Sequence, residues 1–211
     1  MLLFIAAALI LPNSTSTPVH TIQVTQSVRA SRVKADTLVV PFYSQFKDIT
    51  STKWQKVGCG IASLAMILDY YKPAVSVDTL LRQGIAADAY LGGVGWTYKG
   101  LISVGKKYGL DGISYDLRKM DTKKAFNQFK VQLQDGPVIA SVHYKFEPTN
   151  PIPHLVVINS LDGDTLYYND PAEKTGEKQI STTDFLQAWK KKFIVIRPVR
   201  GKEAGAVVAV K

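Results

Sequence analysis

A single cysteine, Cys59, stands in the whole chain, and its isolation excludes a good deal. One thiol cannot close an internal disulfide, and it cannot build a cysteine-rich metal site. Nothing else in the sequence calls for a metal or an organic cofactor. Histidine is scarce as well: His20, His143 and His154 are the three present. No apolar run approaches the ~20 residues that a membrane-spanning helix needs. There is no internal repeat, no phosphate-binding loop ending in Gly-Lys-Ser/Thr, and no zinc module, recognition helix or basic–aromatic repeat for nucleic acid. Acidic residues are the minority, 17 Asp and Glu against 26 Lys and Arg, a net charge of +9. The cations are scattered apart from Lys190, Lys191 and Lys192. This charge describes a basic soluble surface, or one drawn to an anionic cell-envelope polymer, rather than a specific nucleic-acid reader.

What is present is an ordinary globular composition. Hydrophobic residues make up 46% and charged residues 20% of 211, enough to bury one domain's core with a tail at either end. The expected state is a monomer. Leu2 to Leu11 is unbroken apolar sequence, followed by the small, turn-prone stretch Pro12 to Thr17. That pattern reads as a signal peptide over residues 1–17 and implies export to the cell envelope or beyond; a buried N-terminal helix is the alternative. No Lys or Arg precedes the run, which suggests a truncated or misassigned start. Residues 18–36 read as a polar spacer, 37–199 as the domain, and 200–211 as a tail.

Within the domain, Val39, Val40 and Phe42 form a β-rich run ending at Tyr43. Ile61, Leu64, Ala65, Leu68 and Tyr71 share one helical face, with Cys59 at its N-terminal edge and Pro73 beyond it. Further helices are expected from the cap Ser76 to Gln83, from Thr97 to Tyr108 and from Asp121 to Gln134, with a Gly-rich loop over 92–96. After Gly136-Pro137 the pattern changes. Val138–Tyr144, His154–Ser160 and Thr165–Asn169 read as strands, the last two joined by a tight turn at Asp162-Gly163-Asp164. Ser181 caps a short helix, and Phe193–Arg197 is the final strand. Helices first and antiparallel strands second predict an α+β fold.

The chemistry converges on Cys59. A helix N-terminus offers partial positive charge and free N–H groups, both of which favour a thiolate. Gly58 and Gly60 flank it, and the expectation is that they let substrate approach closely. His154 opens an apolar strand after the rigid Pro151-Ile152-Pro153 and is the preferred base; His143 is the second choice. The hairpin turn carries the start of one strand beside the end of the next, so Asp170 becomes the neighbour of His154 and can fix its tautomer. Strand alternation turns Asn169 away. Gln45 is a candidate oxyanion donor alongside the Cys59 N–H. Trp96 is proposed to line a subsite beside Cys59; packing in the core is its alternative role.

Taken in order, Val40-Pro41-Phe42-Tyr43-Ser44-Gln45, Trp54, Gly58-Cys59-Gly60 with Ser63-Leu64-Ala65-Met66, Gly136-Pro137-Val138, His154-Leu155-Val156-Val157 and Asn169-Asp170-Pro171 form a recognisable series. Over roughly residues 38–198 the chain resembles the double-glycine (bacteriocin-leader) peptidase-like family of papain-fold cysteine peptidases, in its stand-alone exported branch. The resemblance implies a papain-like fold, with a helical half bearing Cys at a helix start and a half made of antiparallel sheet. It implies Gln45 as oxyanion glutamine, Cys59 as nucleophile, His154 as base and Asp170 as orienting residue, acting on a peptide or protein substrate. A thiol acyl transferase, or an idle papain-fold module that binds peptide or cell envelope, would use the same residues.

Overall fold

The computed structural model describes residues 39–71 and 75–199. The signal peptide, the spacer with His20, and the tail expected from the sequence all lie outside these residues. Along the chain come α1 (Thr52–Gln55), α2 (Cys59–Tyr71), α3 (Val77–Ala86), the short strands β1 (Tyr90–Leu91) and β2 (Gly95–Trp96), α4 (Tyr98–Lys106), β3 (Leu110–Asp116) and α5 (Thr122–Gln134). Then follow β4 (Val138–His143), a single 3-10 turn (Tyr144–Phe146), β5 (Pro153–Asp162), β6 (Thr165–Asn169), β7 (Lys178–Ser181), α6 (Thr182–Ala188) and β8 (Trp189–Pro198). None of the described helices is long and apolar enough to cross a membrane.

The helix starts are those the caps dictate. Ser76, Thr97, Asp121 and Ser181 each accept a backbone N–H of the following turn through the side chain. α2 carries nine consecutive buried residues, Gly60 to Leu68, so it runs through the interior rather than along a surface.

The large sheet has six strands in the order β3-β8-β4-β5-β6-β7, each paired antiparallel with its neighbours. Its central strands are buried on both faces, which explains their unbroken apolar runs. Ile139, Leu155, Val157, Ile194 and Ile196 join the core around α2, α3 and α4. Their alternates, Val138, Ala140, Val142, Val156, Ile158, Phe193 and Val195, join a second core with Phe126, Phe129 and Phe185 of α5 and α6. The molecule is thus α+β with a helical N-terminal half, as expected, but the sheet lies between two helical layers. It also takes in β3 from the helical half as an edge strand.

Some local expectations are corrected. Val39–Tyr43 is not a strand: the Asn169 side-chain amide donates to the carbonyls of Val40 (2.9 Å) and Pro41 (3.4 Å), so a side chain replaces a ladder there. The glycine loop at 92–96 is the tip and return of a small hairpin, with Gly93 and Gly95 at φ +76° and +99°. The last strand begins at Trp189 rather than Phe193, and its pairing with β4 skips across Lys190 and Lys191, where Lys191 takes φ 51°.

Candidate active site

The site is built where the N-terminus of α2 meets the start of β5. The Ala62 N–H donates to the Gly58 carbonyl (3.0 Å), so the helix is already formed at Cys59. The buried Ser63 hydroxyl donates to the Leu155 carbonyl (3.3 Å), tying α2 to the residue beside His154. Cys59 itself is half-buried.

His154 and Asp170 are both buried, and His154 Nε2 meets Asp170 Oδ1 at 2.6 Å. The β5–β6 hairpin explains the meeting. Its ladder sets Val157 opposite Asn169, so the start of β5 lies alongside the chain just beyond the end of β6. The same carboxylate oxygen accepts the Ala172 N–H at 2.7 Å, which holds the carboxylate in place. Burial alone would favour the neutral imidazole. Bonding to Asp170 and to Cys59 outweighs it, and the His154 pKa is raised to about 10. With Nε2 given to Asp170, Nδ1 is the nitrogen left for the thiol. Asn169 is turned away, as alternation predicted; besides its bonds to Val40 and Pro41 it accepts the Glu177 N–H at 2.7 Å.

Gln45 is buried beside this pair. Its backbone N–H donates to the Pro171 carbonyl (2.8 Å), which joins the Gln45 loop to the Asp170 turn. Its side-chain Nε2 donates to the Gln55 carbonyl (2.8 Å), and a Cβ at position 58 would lie 3.2 Å from the Gln45 Cβ. The amide is therefore anchored by one N–H next to the residue preceding Cys59, with its second N–H uncommitted among the described hydrogen bonds. Its Oε1 is buried without a partner.

Packing bears on two expectations. Gly58 has an internal reason for its identity: a side chain there would collide with Ile49 and press on Gln45. Trp96 is not a subsite wall. It is 6% exposed, its indole N–H donates to the Val57 carbonyl (2.6 Å), and its ring fills space left by two glycines. A Cβ would lie 2.8 Å from that ring at position 60 and 2.7 Å at position 84. With Trp54 and Tyr90 it forms an aromatic cluster supporting the turn into α2. His143, the alternative base, is engaged elsewhere: its Nδ1 lies 2.6 Å from the Asn150 carbonyl and pins the loop that precedes β5.

A family model, the Peptidase_C39 like family, matches residues 37–194. The chain belongs to that family. As a C39-like chain it is a cysteine peptidase by kinship, and the papain-like fold expected from the sequence is the one observed. Among solved structures, a double glycine motif protease from an AMS/PCAT transporter, in complex with the leader peptide, is 24% identical, with a TM-score of 0.55 over 77% of this chain and 94% of that one. A C39-like peptidase from Bacillus anthracis is 19% identical, with a TM-score of 0.55 over 78% and 96%. The peptidase domain of Streptococcus ComA, a bi-functional ABC transporter of a quorum-sensing pathway, is 20% identical, with a TM-score of 0.52 over 68% and 93%. Comparison with curated proteins gives no match.

Sequence reasoning missed Tyr144. In this C39-like site its ring stands edge-on to the His154 imidazole, centroids 5.1 Å apart at 89°. The turn that delivers it holds two non-glycine residues at positive φ, Lys145 (58°) and Phe146 (55°). Such backbone costs energy and persists only where surroundings impose it; here Phe146 is anchored on Tyr168, centroids 4.8 Å apart. No periodicity or motif marks Tyr144. Among the described residues, no group of three or more His, Cys, Asp or Glu is placed to hold a metal ion.

Proposed function

We propose that this C39-like protein is an exported cysteine peptidase that cleaves peptide bonds through an acyl-enzyme, with Cys59 as nucleophile, His154 as acid and base, and Asp170 as orienter. One observation carries the reading: a buried imidazole bonded to the Asp170 carboxylate at 2.6 Å, its pKa raised by Asp170 and by the Cys59 thiol at a helix start. A raised imidazole pKa beside a thiol favours the thiolate–imidazolium pair, the reactive form of such a site.

The Cys59 thiolate attacks the scissile carbonyl carbon, forming a C–S bond and moving the carbonyl electrons onto oxygen. The Cys59 N–H and the free N–H of Gln45 receive that oxyanion. His154 passes its Nδ1 proton to the leaving nitrogen as the C–N bond breaks. A water molecule then attacks the thioester, His154 takes a proton from it, and the carboxylic acid departs as Cys59 is restored. Asp170 keeps the ring oriented and supports its charge throughout. A peptide substrate accords with the relative solved with a leader peptide. Export is supported by the apolar run Leu2–Leu11.

The test is cleavage profiling of a whole proteome with wild type beside Cys59→Ala. New peptide termini that depend on Cys59 are expected. Identical termini in the two samples, or release of the acyl group only when an acceptor amine is supplied, would replace peptidase by an idle module or by an acyl transferase.

A further inference from the structure

β5, which carries His154, lies between β6 and β4, and its two flanks differ in chemistry. Toward β6 stand Asp170, Pro171 and the Gln45 loop. Toward β4 the register sets Leu155, Ser141, Lys192 and Asp116 in one row across β5, β4, β8 and β3. Tyr98, the first residue of α4, lies against this row. Lys192 Nζ sits 5.1 Å from the centroid of its ring. The Tyr98 phenol is pushed above its ordinary pKa by burial, an effect that bonding to the Ser141 hydroxyl opposes. Cys59 and Tyr98 also pack on the same apolar core.

The charges of this row are unevenly matched. Asp116 is held by Arg118, with Nε–Oδ1 at 2.8 Å and Nη2–Oδ2 at 2.7 Å. Arg118 is the main reason that its carboxyl titrates near about 2, with Lys192 the weakest contributor. Among the described residues no carboxylate forms an ion pair with Lys192. One half-buried ammonium therefore remains on an aromatic face, with the buried Ser141 next to it and Leu155, the residue after His154, one strand further on.

We propose that Tyr98, Ser141 and Lys192 form a specificity subsite that receives an acidic side chain of the peptide substrate, its carboxylate at the Lys192 ammonium and its stem against the Tyr98 ring. This rests on the reading of Cys59 as the peptidase nucleophile. A carboxylate gains a charge-assisted hydrogen bond there, its methylenes cover the ring, and a basic side chain is repelled. Because Lys192 is only half-buried, the discrimination is modest and falls with salt, roughly 1.5–5-fold for Glu over Gln at low ionic strength.

The test uses a position-scanning peptide library in which one position at a time carries Glu, Gln or Lys. Turnover is measured with wild type, Lys192→Gln and Lys192→Glu. Binding of the same peptides is measured by fluorescence anisotropy with Cys59→Ala and its two Lys192 double variants. Glu is expected to win at one position in both kcat/KM and Kd. The preference should vanish in Lys192→Gln and pass to Lys in Lys192→Glu. Turnover without any Glu preference, or a preference that survives Lys192→Gln, overturns the subsite alone. Glu-selective binding without turnover upholds the subsite and overturns the peptidase reading; absence of both overturns both.

Discussion

The two flanks of the His154 strand are organised on opposite principles. On the β6 flank the side chains near the site are tied to internal partners: Asp170 binds His154 and the Ala172 N–H, Asn169 ties down the segment at Val40, and Gln45 is bonded through its backbone and one side-chain N–H. On the β4–β8 flank Lys192 is half-buried on an aromatic face, without an ion pair among the described residues. A catalytic constellation must be held to within about 0.5 Å, and pre-bonded, buried side chains achieve that. Recognition of varied side chains is served by groups whose partners arrive with the substrate. The difference assigns chemistry to one flank and selection to the other. Substitutions on the first flank should then lower the rate for all peptides alike, while those on the second should reorder them.

The largest effect is expected from Asp170→Asn. The amide keeps the shape, and its oxygen can still accept the Nε2–H, but it brings no charge to support the imidazolium; turnover should fall by on the order of 10³ with peptide preference intact. Circular dichroism and kcat/KM on several peptides check it. A loss confined to some peptides would place Asp170 on the recognition side of the comparison instead.

Next comes Trp96→Ala. Since the ring fills the space above Gly60 and Gly84 and caps the Val57 carbonyl, its removal should cost about 3–5 kcal/mol, a fall in melting temperature of roughly 6–20 °C. A melting temperature that barely moves, with KM raised, would restore the subsite role that sequence reasoning gave this residue.

That misreading shows where the sequence was legible and where it was not. The α2 helix and the β5–β6 hairpin were readable because local periodicity and a two-residue turn determine them, and the Cys59, His154 and Asp170 geometry follows from those two elements. Trp96 was misplaced because the glycines that matter to it are Gly60 and Gly84, distant in sequence, rather than Gly92, Gly93 and Gly95 beside it. β3 went unseen because only Leu110 of its seven residues is buried, so an edge strand left no apolar alternation to read. Val39–Tyr43 has strand composition, yet the Asn169 amide takes the carbonyls a ladder would use. Tyr144 and Lys192 depend on a strained turn and on cross-strand register, neither of which a residue pattern announces.

Gln45→Ala should rank below these. Removing one oxyanion donor typically lowers kcat by about 10²–10³, with substrate binding little changed. Its bond to the Gln55 carbonyl is lost too, so the melting temperature should be recorded beside the kinetics. A rate loss accompanied by a matching loss of stability would make Gln45 a strut of the loop rather than a donor to the substrate.

The last effect is a pH dependence of stability, and it isolates the His154–Asp170 pair from substrate altogether. The imidazole pKa is raised from 6.5 to about 10 in the folded chain, because bonding to Asp170 and Cys59 overcomes burial. A folded-state pKa above the unfolded one means that the folded protein binds the proton more tightly. The resulting stabilisation is fully present below about pH 6.5 and is lost as pH rises through about 10. Cys59 also contributes to this shift, so the Asp170 share is best read in a Cys59→Ala background. There Cys59→Ala should lose stability relative to Cys59→Ala/Asp170→Asn as pH climbs from 6.5 toward 10, because only the first keeps a carboxylate to hold the charged ring. Denaturant midpoints at several pH values supply the comparison. A difference between the two variants that stays flat across that window would mean that Asp170 positions a neutral imidazole, and the closed flank would then orient the base without charging it.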